Sequence, residues 1–169
     1  MDTKEFVQEL MVSVRHHTDD SINGTTVKQF NWLPPGTANT ISAIFIHLVY
    51  SEDFFIQSIL QEKPLIWEEG GWREKISLKN PPSYGTDWDE FKHITLALDP
   101  VLDYQQKVRA ATNTYLDKLQ SEELGCVVQF AGGERKVSDM IILLANHTTS
   151  HAGEIAAIKG VQGVKGLPY

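Results

Sequence analysis

The segment from residue 138 to 159 has an apolar pattern of helical period that carries two histidines on its inner side. Apolar residues recur every three or four positions, and His147 and His151 fall on the same stripe. The members of that stripe are Met140, Leu143 or Leu144, His147, His151, Ile155 and Ile158. The pattern therefore predicts a helix that directs two imidazole rings toward the protein core.

Imidazoles in a core need partners, because a buried polar group without one costs about 1–3 kcal/mol. One metal ion could satisfy both rings, since side chains at positions i and i+4 are neighbours on a helix. The spacing alone is weak evidence, because the chain has 6 histidines and such a pair also arises by chance. Hydrogen bonds from both rings to backbone groups or carboxylates are the alternative. A third ligand on another segment would favour a metal site.

Three further segments have the period of an amphipathic helix. The first, residues 3–23, ends in an Asn23-Gly24 C-cap signal, and the third, residues 99–120, begins with Asp99 as N-cap followed by Pro100. Together with residues 40–61 and 138–159 they predict an all-α protein, a four-helix bundle with long crossover loops. We expect residues 1–169 to form a single domain of this kind.

The connections carry different signals. Residues 24–39 contain the Pro34-Pro35-Gly36 turn, which predicts irregular structure, and residues 126–137 around Gly132-Gly133 predict a small β-hairpin before the last helix. Residues 62–87 are broken by prolines and glycines, and a loop of that length in a compact domain is usually functional. We expect Asp87 to begin a short helix that extends through Leu98.

The second predicted helix supplies a third histidine. His47 lies at the edge of its apolar stripe, and no other polar side chain stands within three residues of it. A histidine capped at a surface edge is the alternative, but the apolar surroundings favour a ligand. His47, His147 and His151 would then form a set of three ligands on facing helices, and an open fourth position is typical of catalytic zinc.

Composition excludes several classes of function. The net charge is −7, and no cluster of Lys and Arg stands out, which argues against nucleic acid or an anionic membrane as a partner. No apolar segment has membrane-spanning length, and the first residues lack the pattern of a signal peptide. The chain has a single cysteine, Cys126, which excludes an internal disulfide. We expect the Cys126 side chain to be buried and the protein to be cytoplasmic.

The chain resembles the DinB/YfiT-like family of metal-binding four-helix bundles along nearly its whole length. Several motifs carry the resemblance, and together the two histidine segments are fairly specific. These motifs are Trp32-x-Pro34-Pro35-Gly36, His47-Leu48 with Ser51-Glu52-Asp53, Trp67-Glu68-Glu69-Gly70-Gly71-Trp72, His147-x-x-x-His151-Ala152-Gly153-Glu154-Ile155, and Gly160-x-Gln162-Gly163-x-Lys165-Gly166-Leu167-Pro168.

The resemblance implies that His47, His147 and His151 bind a divalent metal, zinc or nickel, with water completing its coordination. Some relatives are thiol-dependent transferases or isomerases that use mycothiol, bacillithiol or glutathione, and others are associated with stress. Some carry Arg-Gly-Gln after the second histidine, where this chain has Ala152-Gly153-Glu154. An arginine contact to an anionic thiol is therefore absent from this position.

Two classes of function follow. The first is a metal-dependent enzyme, either a hydrolase or a transferase that uses a low-molecular-weight thiol, acting on a small molecule. Its candidate catalytic residue is Glu154, which shares a helix face with the histidines and could orient one of them or accept a proton; a carboxylate at the solvent edge is the alternative. Ser51, Trp67 and Trp72 are candidates for the surrounding pocket.

The second class is a non-catalytic metal-binding or stress-associated bundle, which we expect to act as a homodimer. A closed metal site without a pocket would favour it, whereas an open position lined by Trp67 or Trp72 would favour the enzyme. Thr148 stands where a zincin has its glutamate, so protease chemistry of that type is not supported. Gly153, in the middle of the helix, predicts close packing or room for substrate.

Overall fold

Four long helices form the body of the protein, which we describe from a computed structural model that covers residues 2–168. Short helices and one hairpin fill the connections. The helices are α1 (Thr3–Ile22), α2 (Val27–Phe30), α3 (Ile41–Asp53), α4 (Ile66–Glu69), α5 (Trp72–Ile76), α6 (Leu98–Lys118) and α7 (Val137–Val161), and the strands are β1 (Val127–Phe130) and β2 (Gly133–Lys136). The predicted all-α class with a small hairpin is confirmed.

Side-chain caps explain where some of the helices begin. Asp2 caps α1 by accepting from the Glu5 backbone N–H at 2.8 Å, and Thr40 accepts from the Ala43 N–H at the start of α3. The prediction of Asp99 as the N-cap of α6 was wrong. The helix begins at Leu98, and its N-cap is Ala97, which has no side-chain hydrogen bond to the helix. Pro100 still lies in the first turn, where its missing N–H costs nothing.

Helix α3 is the centre of the bundle. Every residue from Ile41 to Val49 is buried, so the helix has no solvent face, whereas the sequence predicted a stripe with His47 at its edge. It packs between α6 and α7, and α7 also packs along α1. A helix that is apolar all round is expected in this position. His47 therefore enters the protein interior at a place that the surrounding helices determine.

Two adjacent carboxylates fix the C-terminal end of α3. Glu52, 3% exposed, accepts from Arg15 on α1 at 2.5 Å and from the Thr112 hydroxyl on α6 at 2.8 Å. Asp53 is fully buried and accepts from the Tyr104 hydroxyl at 2.7 Å, and it also caps α4 through two backbone N–H groups. Burial raises the pKa of the Asp53 carboxyl despite these three donors. The bonds hold α3 in one orientation relative to α1 and α6.

A π-helix over Phe54–Ile59 continues α3. The sequence predicted one unbroken α-helix to residue 61, since a change in period over six residues is too small to read from an apolar pattern. The extra residue per turn rotates the following side chains relative to α3. Single π-helical turns occur often at functional sites.

The connections contain more helix than predicted. A capping box between Thr26 and Gln29 forms one helical turn, α2, ahead of the two prolines in the region predicted to be irregular. The region 62–87 contains α4 and α5. Asp87 does cap a helix, but that helix is a 3₁₀ turn ending at Phe91 rather than at Leu98.

The predicted hairpin is present and leads directly into α7. Strands β1 and β2 are antiparallel, with Phe130 paired to Gly133 across a two-residue turn. Ala131 and Gly132 form that turn with positive φ of 51° and 77°, as a tight hairpin requires. Cys126, expected to be buried, is instead exposed at the start of this hairpin. Within residues 2–168, none of the helices has both the length and the apolar character needed to cross a bilayer.

Candidate metal centre

The three predicted histidines meet between α3 and α7. His47 Nε2 lies 3.0 Å from His147 Nε2, and one ring nitrogen from each of the three residues lies within 4.8 Å of the others. The ring centroids are separated by 4.9 Å for His47 and His147, 5.1 Å for His47 and His151, and 4.5 Å within α7. The sequence thus identified three residues that the fold brings together, two from one helix and one from its neighbour.

Hydrogen bonds orient two of the three rings. His47 Nδ1 lies 2.8 Å from the Pro82 carbonyl oxygen, and His151 Nδ1 lies 2.9 Å from Glu154 Oε2. Both acceptors require a proton on Nδ1, and in a neutral ring Nε2 then carries the lone pair. Such second contacts to a carbonyl or a carboxylate are typical of histidines that bind metals.

His147 has no comparable support. Its Nδ1 is buried and has no hydrogen-bond partner among the described residues. Since His47 Nε2 carries a lone pair, the 3.0 Å contact is a hydrogen bond only if His147 donates from its own Nε2. A cation that binds both Nε2 atoms would take the place of that proton.

Burial keeps His47 and His147 uncharged. Loss of solvation and, to a smaller extent, the neighbouring imidazoles lower the pKa of His47 to about 4 and that of His147 to about 3. The Pro82 carbonyl acts in the opposite direction on His47. Both rings are therefore neutral at pH 7, the form that binds a metal ion.

The distances fit a first-row divalent ion. Imidazole nitrogens at about 2.0–2.1 Å from a tetrahedral zinc lie roughly 3.4 Å apart. The observed 3.0 Å between His47 and His147 is slightly shorter, so a small outward rotation of the rings would accommodate the ion. Three neutral imidazoles suit zinc and nickel equally well. The geometry is thus compatible with a three-histidine metal site.

The histidines on α7 lie beside the buried stripe rather than in it. The residues that point into the core are Met140, Ile141, Leu144, Ala145, Thr148, Ala152, Ile155 and Ile158. His147 and His151 are half-buried. The predicted stripe had either Leu143 or Leu144 at one position, and Leu143 is exposed whereas Leu144 is buried. The rings therefore face a boundary with open space, where a ligand can reach them.

That open space is a cavity of about 680 Å³ beside His47 and His147. Three segments enclose it: the residues from Tyr50 into the π-helix, the loop at Ser83 and Tyr84, and the hairpin tip from Gln129 to Gly132. The volume is in the range of small-molecule sites, which is about 300–1,000 Å³. The helix changes from α to π at Phe54, and this change sets the direction of the side chains that line the first of the three segments.

The candidate pocket residues divide into two groups. Ser51 lines the cavity, as expected. Trp67 and Trp72 do not, although both are within the described residues; they pack against Tyr104 in the core, with ring centroids 5.3 Å away in each case. They were placed at the pocket because they stand in a loop rich in Gly and Pro, but this loop folds into α4 and α5.

Two contacts to His47 were missed from the sequence. The Trp88 ring packs edge-on against it at 4.7 Å between centroids, and the Pro82 carbonyl accepts its hydrogen bond. Both belong to the connection between α5 and α6. The sequence did contain one signal for the contact of Trp88. Asp87 was predicted as an N-cap, and the residue after an N-cap is the first residue of the helical turn.

Glu154 and Gly153 differ in outcome. Glu154 contacts His151 while its side chain remains 40% exposed, so it combines the orienting role with the solvent-edge position. The packing explanation for Gly153 was wrong: this residue is exposed, and an added Cβ would meet no atom within 4 Å. The other explanation, room for substrate, stays a prediction, since the space beside Gly153 is open although Gly153 does not line the cavity.

Comparisons with known proteins agree with this architecture. A family model described as the DinB superfamily matches residues 10–155. A crystal structure of a conserved protein of locus from Enterococcus faecalis superposes with a TM-score of 0.80 and 20% sequence identity, covering 96% of this chain and 99% of that chain. This likeness shows a shared fold. No curated protein sequence matches the chain.

Proposed function

Because the chain belongs to the DinB superfamily, we propose that it is a divalent-metal-dependent enzyme whose ion is held by His47, His147 and His151. The observation that carries this proposal is the convergence of three histidine rings, two of which, His47 and His147, line an open cavity. A bound divalent ion would act as a Lewis acid and lower the pKa of water or of a thiol at its open position. Zinc and nickel are the preferred ions.

The protein's own groups supply orientation and proton handling. Pro82 and Glu154 accept hydrogen bonds from Nδ1 of His47 and His151, which leaves Nε2 of each ring available to bind the ion. Glu154 is also exposed enough to exchange protons with solvent, so it can accept a proton from a nucleophile and release it. Trp88 packs edge-on against His47 and helps to fix the position of that ring.

Hydrolysis fits this site better than thiol transfer. Glutathione and bacillithiol are anionic, and binding them requires cationic side chains near the reactive centre. The cavity is lined by neutral residues, and α7 carries Ala152-Gly153-Glu154 after the second histidine, where some relatives have an arginine. We therefore propose a hydrolase-like reaction, with thiol transfer as the alternative that an activity screen can separate.

The cavity also favours an enzyme over a non-catalytic bundle. A structural metal site has a full set of protein ligands and excludes solvent. Here three histidines converge, and two of them, His47 and His147, line a space large enough for a small molecule. Pairing of two chains stays a prediction that light scattering would test.

Metal content is the first experiment. Tag-free protein is purified and its metals are measured by plasma mass spectrometry, before and after reconstitution with zinc or nickel. We expect about one divalent ion per chain, and loss of that ion in the His147→Ala/His151→Ala variant. The matched control is His16→Ala/His93→Ala, which removes two exposed histidines outside the cluster.

Activity is the second experiment. The loaded protein is screened against uncharged esters and amides, and in parallel against thiol conjugation reactions. We expect hydrolysis that a chelator abolishes and that zinc or nickel restores. Absence of metal in the wild-type protein after reconstitution would reject the proposal, and activity confined to thiol conjugation would replace hydrolysis with the alternative.

A further inference from the structure

We infer that the substrate of this site is an uncharged small molecule with an aromatic body and one polar, reactive end. The inference rests on the proposed function, since it identifies the class of molecule on which that reaction acts. It goes beyond the metal site, because it depends on the cavity wall rather than on the three histidines. Three features of the wall carry it: the aromatic rings, the absence of charge and the position of the polar groups.

Aromatic rings line the route to the histidines. Phe130 at the hairpin packs edge-on against Phe55, with centroids 5.5 Å apart, and Phe55 in turn lies 6.2 Å from His147. Phe54 lies 5.9 Å from Phe55. All three phenylalanines line the cavity. Aromatic rings prefer edge-to-face or offset contacts with other rings at such distances, so a flat aromatic ligand would pack against this wall of the cavity.

The described lining residues include no Lys, Arg, Asp or Glu. A charged group on the body of the ligand, away from the three histidines, would lose its hydration without meeting an opposite charge on the lining, which is costly in an apolar environment. The chain's net charge of −7 adds a general repulsion of anions. A ligand with an uncharged body avoids both penalties.

Two polar groups of the cavity lie next to the histidines along the chain, while Ser83, Tyr84 and Gln129 supply others from the loop and the hairpin. Tyr50 and Ser51 follow His47 by about one helical turn and line the same space. Burial raises the pKa of the Tyr50 hydroxyl, and the nearby carboxylates of Glu68 and Asp53 raise it further, so it remains a neutral donor. These hydroxyls can bind a carbonyl or ester group while the phenylalanines hold the body of the ligand.

A matched pair of fluorescent dyes tests the inference. N-phenyl-1-naphthylamine is uncharged, and 8-anilinonaphthalene-1-sulfonate has the same ring skeleton with an added sulfonate. Both are titrated against metal-free and zinc-loaded protein, and fluorescence gives the dissociation constants. We expect the uncharged dye to bind at least about ten-fold more tightly, a difference of about 1.4 kcal/mol.

Two variants locate the binding site. Phe130→Ala removes part of the aromatic wall and should weaken binding of the uncharged dye. Gln129→Lys adds a cation at an exposed position of the cavity rim. It should tighten binding of the sulfonate dye and so reduce the difference in affinity between the two dyes. Gln106→Lys makes the same charge change on the exposed surface of α6, outside the described lining, and should leave both dyes unaffected. The Gln129→Lys comparison remains decisive if Phe130→Ala does not fold.

The outcomes separate this inference from the proposed function. Tighter binding of the sulfonate, or equal effects of Gln129→Lys and Gln106→Lys, would overturn the ligand class even if the protein binds metal. Selective binding of the uncharged dye by a protein that never takes up metal would support the ligand class and reject the metal-dependent reaction. The dye measurement on metal-free protein needs no turnover, so the two results are independent.

Discussion

Glu154 Oε2 lies 2.9 Å from His151 Nδ1, one helical turn further along α7. The contact supports one ring of the cluster and places a partly exposed carboxylate beside the expected position of the ion. Orientation and proton transfer can be separated experimentally, because they depend on different properties of the side chain. A neutral amide can still accept the bond from His151, but it cannot take up a proton.

We expect Glu154→Gln to keep metal binding within a few-fold of wild type and to lower the rate of the metal-dependent reaction. Glu154→Ala should lose the rate and also weaken metal affinity by about 10-fold or more, because the partner of His151 is removed. Competition with a fluorescent zinc chelator measures affinity, and steady-state kinetics measure the rate. Equal metal affinity in both variants would show that the hydrogen bond does not support the ion.

Gly153→Ala should stabilise the protein. The residue lies inside α7, is exposed, and leaves open space where the Cβ would be placed. Replacing a helical glycine with alanine raises the free energy of unfolding by about 0.5–1 kcal/mol, which corresponds to an increase in Tm of about 1–4 °C at this size. Calorimetry checks the change, and metal content should be unaltered.

Gly166→Ala is the opposite case. A Cβ at this position would lie 2.3 Å from the backbone oxygen of Ala156, so the C-terminal segment could not keep its close contact with α7. We expect a lower Tm in this variant. A destabilised Gly153→Ala protein, or a neutral Gly166→Ala protein, would contradict the packing described for α7.

The metal-free protein should lose stability as the pH falls below about 6.5. The pKa of His47 is lowered to about 4 and that of His147 to about 3 in the folded state, whereas both lie near 6.5 in an unfolded chain. Between those values the unfolded state binds more protons, so the free energy of unfolding decreases with falling pH, by about 3 kcal/mol at most for His47. This stability is fully present above pH 6.5.

Urea unfolding of chelator-treated protein across pH 4–7 measures that profile. The His47→Gln/His147→Gln variant lacks both groups and should have a flatter dependence over the same range. A profile that is identical in the two proteins would show that these imidazoles are not buried in the neutral form.

The buried pair between Arg15 and Glu52 should be costly to break on one side. Both side chains are less than a tenth exposed, and Arg15 also donates to Asn113 at 2.6 Å. Glu52→Leu leaves an unpaired guanidinium and should cost about 3–5 kcal/mol, whereas Arg15→Met/Glu52→Leu should recover much of that loss. Chemical unfolding of Glu52→Leu, Arg15→Met and the double variant gives the coupling free energy between the two side chains. Additive losses would mean that the pair does not act as a unit.

The candidate site was predictable where it depended on helical spacing. His147 and His151 stand one turn apart in one helix, and His47 stands alone in an apolar segment, so each could be found without tertiary information. Their partners differ in this respect. Glu154 shares the helix and was found, while Pro82 and Trp88 reach His47 from a connection whose path no local pattern determines.

The errors in the fold have similar physical origins. Trp67 and Trp72 stand among prolines and glycines, which predict a loop, yet Asp53 from another helix caps α4 and draws this region into the core. The π-helix after Asp53 changes the direction in which the phenylalanine side chains point. An apolar sequence pattern does not reveal this change, because the residues are apolar in either kind of helix. Contacts between segments decide both features, and a single sequence does not contain those contacts in readable form.

One wall of the cavity and the metal ligands belong to parts of the chain that can vary separately. The three histidines lie on the helical frame, whereas one wall of the cavity is a two-residue turn between β1 and β2. Insertions at a hairpin tip are tolerated because few contacts depend on it. Descendants of this chain could therefore acquire new substrates by lengthening or rebuilding that turn, with the reaction chemistry inherited unchanged.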